Sequence, residues 1–90
     1  MLLDNDPNNA EAHGGLGRLM AAIGVPGLAL AESVRASQLR PRSADYRVDV
    51  GQTLRTLGRH AEARKWFESA LQAEPGHPGA RAALAEQPGK

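Results

Sequence analysis

Few side chains in this sequence can do acid–base, metal or nucleophilic chemistry, and their spacing suits none of the three. His13, His60 and His77 are its only imidazoles, and it has no cysteine. Disulfides, thiolate zinc sites and cysteine nucleophiles are therefore excluded together. The histidines lack partners a helical turn away, the spacing that would put two metal ligands on one face, so a zinc site is not expected. Asp45 and Asp49 stand four residues apart on one helix face, as a carboxylate dyad would. With no burial or polar cavity in view for them, they read as part of a solvated groove face. Gly14-Gly15-Leu16-Gly17 has the glycine density of a phosphate loop, but no strand precedes it and it lies inside a helical pattern. Trp66 and Phe67 are adjacent, so they cannot share a helix face. Phe67 is assigned to the core and Trp66 to its edge, rather than both to a stacking platform. The expectation is a chain without catalytic residues, metal or cofactor.

Composition narrows the classes further. The 90 residues carry a net charge of +1, far from the basic excess of a nucleic-acid binder, so nucleic acid is not an expected partner. Between Arg35 and Lys65 eight basic residues face three acidic ones, but they are spread over two helices and two turns and read as an ordinary solvated surface. Met1 to Pro7 has neither the basic nor the apolar segment of a secretory signal, and no stretch could span a bilayer. No membrane partner is expected, and a cytoplasmic location is. With one Trp, one Tyr and one Phe, the core must be built from Ala, Leu and Val.

The elements that position these residues follow a period. Pro7, Pro41 and Pro75 are 34 residues apart, and the same offset relates Gly17 to Gly51, Gly24 to Gly58, Ala29 to Ala63 and Ala36 to Ala70. These residue types either break helices or let two helices approach closely. Each period reads as two helices. In the first helices Leu16, Met20 and Ile23 recur as Val50, Leu54 and Leu57, an apolar stripe at helical spacing that predicts a core face. Asn9 and Ser43 are predicted N-caps, and His77 precedes Pro78, a residue suited to a first helical turn. Gly24 and Gly58 supply the positive φ that ends each first helix. Second helices are predicted over 27–40 and 60–73, with Ala63, Phe67, Ala70 and Leu71 on one face of the latter, and Ala29, Ser33, Ala36 and Leu39 on a less apolar face of the former. Gly14 and Gly15 each weaken a helix interior by roughly 1 kcal/mol relative to Ala.

A 34-residue helix–turn–helix unit with a W-x2-L-G-x2-Y, A-x3-F and terminal P pattern is the tetratricopeptide repeat, and this sequence resembles it. The motif stands here as Leu16-Gly17 with Met20, Ala29 and Ala36, and again as Val50-Gly51 with Leu54, Ala63, Phe67 and Ala70, closed by Pro41 and Pro75. His13 and Arg47 replace the family's Trp, Met20 and Leu54 its Tyr, and Ser33 its aromatic in the first unit.

The resemblance implies an all-α fold of about five helices, in antiparallel pairs stacked as a right-handed superhelix. It implies one domain over 1–90, with repeats at about 8–41 and 42–75 and an end helix at about 78–87. Met1 to Asp6 resembles the tail of an earlier second helix. The implied function is to bind a protein or peptide on the concave face of the first helices, without catalysis. The alternative is a structural or self-associating segment, a homo-oligomer included, cut from a longer repeat protein or appended to an enzyme. The residues the resemblance places on that face are Glu11 and Arg18 on one helix and Asp45, Asp49, Gln52 and Arg55 on the next. The Lys, Asn and Arg with which some members grip a partner's C-terminal carboxylate are replaced by residues such as Gly14, Asp49, Gly79 and Ala83, so that clamp is missing.

Overall fold

A computed structural model of the chain describes residues 9–86. The readings of Met1 to Asp6 as an earlier helix tail and of Gln87 as part of the end helix lie outside them. Five helices follow one another: α1 (Ala10–Ala22), α2 (Pro26–Leu39), α3 (Ala44–Thr56), α4 (His60–Ala73) and α5 (Pro78–Glu86). Among the described residues there is no strand. α1 packs on α2, α2 on α3, α3 on α4 and α4 on α5, so the helices stack in chain order.

The period seen in the sequence is a period of backbone chemistry. Asn9 Oδ1 accepts from the Ala12 N–H at 3.1 Å, Ser43 Oγ from Tyr46 at 3.3 Å, and His77 Nδ1 from Ala80 at 3.1 Å. All three first helices thus start on a side-chain cap at the same place in the repeat, and His77, read from sequence only as a loop residue before Pro78, is the third cap. The ends match as well. Gly24 (φ 87°) and Gly58 (φ 81°) take the left-handed conformation. Around them the Val25 N–H bonds to Met20 O and the Arg59 N–H to Leu54 O, both at 2.9 Å, closing the Schellman arrangement that satisfies the last carbonyls of α1 and α3.

Packing separates the two units. Phe67 and Val50 are the largest fully buried side chains, in a core with Leu54, Ala63, Ala70, Ala80 and Ala83. Trp66 lies partly buried at the edge of that core, as the adjacency argument expects. A Cβ on Gly51 would stand 2.5 Å from Phe67 Cε1, so this glycine leaves the ring room against α3. In the first unit Ser33 takes the place of the ring and the helices close directly. A Cβ on Gly17 would meet Ser33 Oγ at 2.8 Å and the Ala29 carbonyl and Ser33 backbone nitrogen at 3.3 Å.

Two expectations need correction. The stripe Leu16, Met20, Ile23 keeps the predicted spacing but is not a core face. Leu16 is 42% and Ile23 67% exposed, and the buried residues of α1 are Ala10, Gly14 and Gly17. The equivalent Val50 and Leu54 are buried because α2 lies on α3, whereas no described helix covers the same side of α1. Leu57, the last residue of the second stripe, is also at the surface. Gly14, counted only as a cost to helix stability, has a packing role. The Tyr46 ring lies on it, with Cε1 2.7 Å from where a Cβ would be.

Candidate functional site: the groove between the first helices

The first helices α1 and α3 bound a cavity of about 890 Å3. Its wall is Glu11, Gly15 and Arg18 from α1, Leu39 at the end of α2, residues 40–43 of the α2–α3 connection, and Asp45 and Tyr46 from α3. A smaller hollow of about 180 Å3 continues between the same helices, lined by Arg18, Asp49, Gln52 and their neighbours. Of the six residues expected on this face, Glu11, Arg18 and Asp45 line the first space, and Arg18, Asp49 and Gln52 the second. Arg55 lines neither. Its guanidinium donates to Gln52 Oε1 at 2.5 Å, lies 3.6 Å from Glu86 Oε1 and sits over the Phe67 ring, 5.8 Å from its centroid. That position ties α3 to α5 and covers the core, which makes Arg55 first of all a packing residue.

Local chemistry divides the two aspartates that share a face. Arg18 Nε donates to Asp49 Oδ2 at 3.0 Å, and its Nη2 lies 2.9 Å from the same oxygen, an ion pair across the groove from α1 to α3. Burial pushes the Asp49 carboxyl above the ordinary aspartate range, and the Arg18 hydrogen bond works against that rise. Asp45 instead faces His77, whose Nε2 is 2.5 Å from Asp45 Oδ1. Because His77 Nδ1 accepts from Ala80, Nε2 carries the proton and donates it to Asp45. Each carboxylate therefore has its own partner. His13 likewise pairs with Glu32 at 2.6 Å and links α1 to α2.

Sequence reasoning missed the turn that closes one end of the groove. Arg40, Pro41 and Arg42 line the large cavity, whereas the sequence pattern marks Pro41 only as the close of a repeat and places none of the three at the groove. The turn is fixed from behind by Arg47, which donates to the Pro41 carbonyl through Nη2 and to the Ser69 carbonyl on α4 through Nη1 at 2.7 Å. Arg47 stands where the repeat pattern has Trp, so a charged side chain with several donors takes over an aromatic packing position. The Arg-Pro-Arg triplet was the available signal, since charged residues on both sides of a rigid proline mark a turn that presents them.

The groove thus offers carboxylates, guanidinium groups and one phenol ring on a rigid helical frame. Among the described residues no three His, Asp or Glu side chains gather as metal ligands, and no helix is long and apolar enough to cross a membrane. No curated protein matches the chain. The family model of the tetratricopeptide repeat matches residues 44–86, the whole of α3, α4 and α5. α1 and α2 stand 34 residues before α3 and α4 with the same caps, the same glycine ends and the same close-approach glycine. Residues 44–86 thus match the tetratricopeptide-repeat family, and the 34-residue offset carries the same frame back through α1 and α2.

Proposed function

We propose that the chain is a non-catalytic interaction module that binds a protein or peptide in the groove between α1 and α3. Repeats of this family mediate protein–protein interaction in general, and the observation that carries the reading here is the cavity of about 890 Å3 lined by Glu11, Arg18 and Asp45. A groove of that size between rigid helices accepts an extended or helical peptide at little cost in ordering the receptor. Arg18 of α1 and Asp49 and Gln52 of α3 line its smaller continuation. The test is capture of the partner from the source organism, followed by affinity measurements on Arg18→Glu and Asp45→Lys. Both changes should weaken binding with helicity intact. Unchanged affinity would remove the groove from the reading.

A second reading is favoured by one specific observation. Leu16, Leu19, Ile23, Val25 and Leu28 are all exposed apolar residues on α1, α2 and the turn between them. Apolar surface gathered in this way marks a contact face, and on α3 the same register is covered by α2. In this reading the first unit stacks on a further helix, from another repeat or from a second copy. Sedimentation of the wild type and of Leu19→Glu separates the cases, since self-association through this face is lost in the variant.

A further inference from the structure

Arg40 and Arg42 reach the large cavity with no counter-charge. Both are exposed, and neither side chain makes a hydrogen bond or ion pair with any described residue. Arg18, the third cation of the lining, is already answered by Asp49. Unpaired arginines on a free loop would be ordinary, but these two leave a fixed backbone. Pro41 restricts the chain between them, the Ser43 N–H closes the turn onto the Arg40 carbonyl at 3.0 Å, and Arg47 fastens the Pro41 carbonyl to the Ser69 carbonyl of α4. The start of α3, with the positive end of its helix dipole, opens beside them. Of the two carboxylates in the lining, Asp45 is held by His77, and only Glu11 on the opposite wall is without a partner.

We propose that the Arg40–Pro41–Arg42 turn is the anion-recognising edge of the groove, and that the partner bound there presents an acidic peptide segment, its Asp or Glu carboxylates meeting the two guanidinium groups. The inference rests on the groove being the binding face and adds the chemistry of what it takes. Two planar guanidinium groups on one rigid turn suit neighbouring carboxylates, each pair being a charge-assisted bond of the stronger kind. Arg47 acts as a positioning residue, because it touches the turn and not the ligand. Glu11 sets the sign of the selection: its carboxylate opposes an acidic segment and would favour a basic one.

The probe is a fluorescently labelled Glu-rich peptide, compared with its Gln and Lys counterparts and with a single-stranded oligonucleotide of equal charge, all titrated into the whole chain. The Glu peptide should bind in preference to the other three. Arg40→Glu and Arg42→Glu should each weaken it by about tenfold or more, the range expected for losing a hydrogen bond to a charged group. Glu11→Gln should tighten it. Arg47→Met should weaken it with helicity unchanged, which a merely structural role in the turn would not do. Equal losses in Arg35→Glu and Arg64→Glu, no preference for Glu over Gln, weaker binding after Glu11→Gln, or tighter binding of the oligonucleotide would each overturn the proposal. Loss in Arg18→Glu without loss in Arg40→Glu or Arg42→Glu would leave the groove standing and remove the turn from it.

Discussion

Phe67 is wholly buried with its ring 2.5 to 3.0 Å from where a Gly51 Cβ would stand, so the two positions should be strongly coupled in stability. Phe67→Ala removes the largest side chain of a core otherwise rich in alanine and should cost about 3–5 kcal/mol. Gly51→Ala alone gains about 1 kcal/mol of helix propensity. It also forces a methyl group into the ring, a strain of about 1–3 kcal/mol, so its net effect is a loss of stability. In the Phe67→Ala background the obstacle is gone and the methyl group partly fills the space left behind. There Gly51→Ala should stabilise by up to about 1 kcal/mol, a reversal of sign with a coupling of about 2 kcal/mol. Urea unfolding followed by circular dichroism, in sucrose where needed to keep the alanine variant folded, measures all four corners of the cycle. The same loss from Gly51→Ala in both backgrounds would refute the claim that this glycine leaves the ring its room.

Three further outcomes follow from the same geometry. Amides from Val50 to Leu71 should exchange more slowly than those from Leu16 to Leu39, because the second unit holds Phe67 and Val50 while the first closes on Ser33 and leaves Leu16 and Ile23 in solvent; equal protection would count against this. His77→Ala should cost about 1 kcal/mol and fray α5, whereas His77→Asn keeps a cap acceptor and should recover most of it. Asp49 should titrate above the ordinary aspartate range by carbon-detected NMR, chiefly because of its burial. A carboxyl raised in the folded state contributes stability that is fully present below its unfolded value and lost as pH rises through the folded one. Mild acid therefore costs the fold nothing through this group while it loosens the Arg18 pair, and a folded-state titration at or below the ordinary value would contradict the burial argument.

The elements were legible because helix starts and stops are written in local chemistry. Asn9, Ser43, Gly24 and Gly58 act where their types and spacing say they should, and Gly17 and Gly51 mark the close approaches. Burial was less legible, because an apolar stripe says which side of a helix wants cover and not whether cover exists. Leu16 and Val50 occupy the same register with opposite fates, since among the described residues only Val50 has a second helix laid over it. Gly14 was misjudged for a related reason: its partner Tyr46 lies 32 residues on and is brought to it only by the stacking of α1 on α3. At the groove, five of the residues that the family resemblance points to, Glu11, Arg18, Asp45, Asp49 and Gln52, line its walls. The resemblance could not foresee that Arg55 would be drawn to Phe67 and Glu86, or that the α2–α3 turn would bend into the cavity.

The central claim is that binding belongs to the face between α1 and α3 rather than to surface charge at large. Arg18→Glu, Arg40→Glu, Arg35→Glu and Arg64→Glu each change net charge by the same amount, but only Arg18 and Arg40 line the cavity. Affinity for the captured partner, measured for all four variants at two salt concentrations, separates local contact from long-range attraction. The account predicts large losses for Arg18→Glu and Arg40→Glu that persist at the higher salt, and small losses for Arg35→Glu and Arg64→Glu that fade with it. Losses of equal size across the four, vanishing together as salt rises, would contradict it.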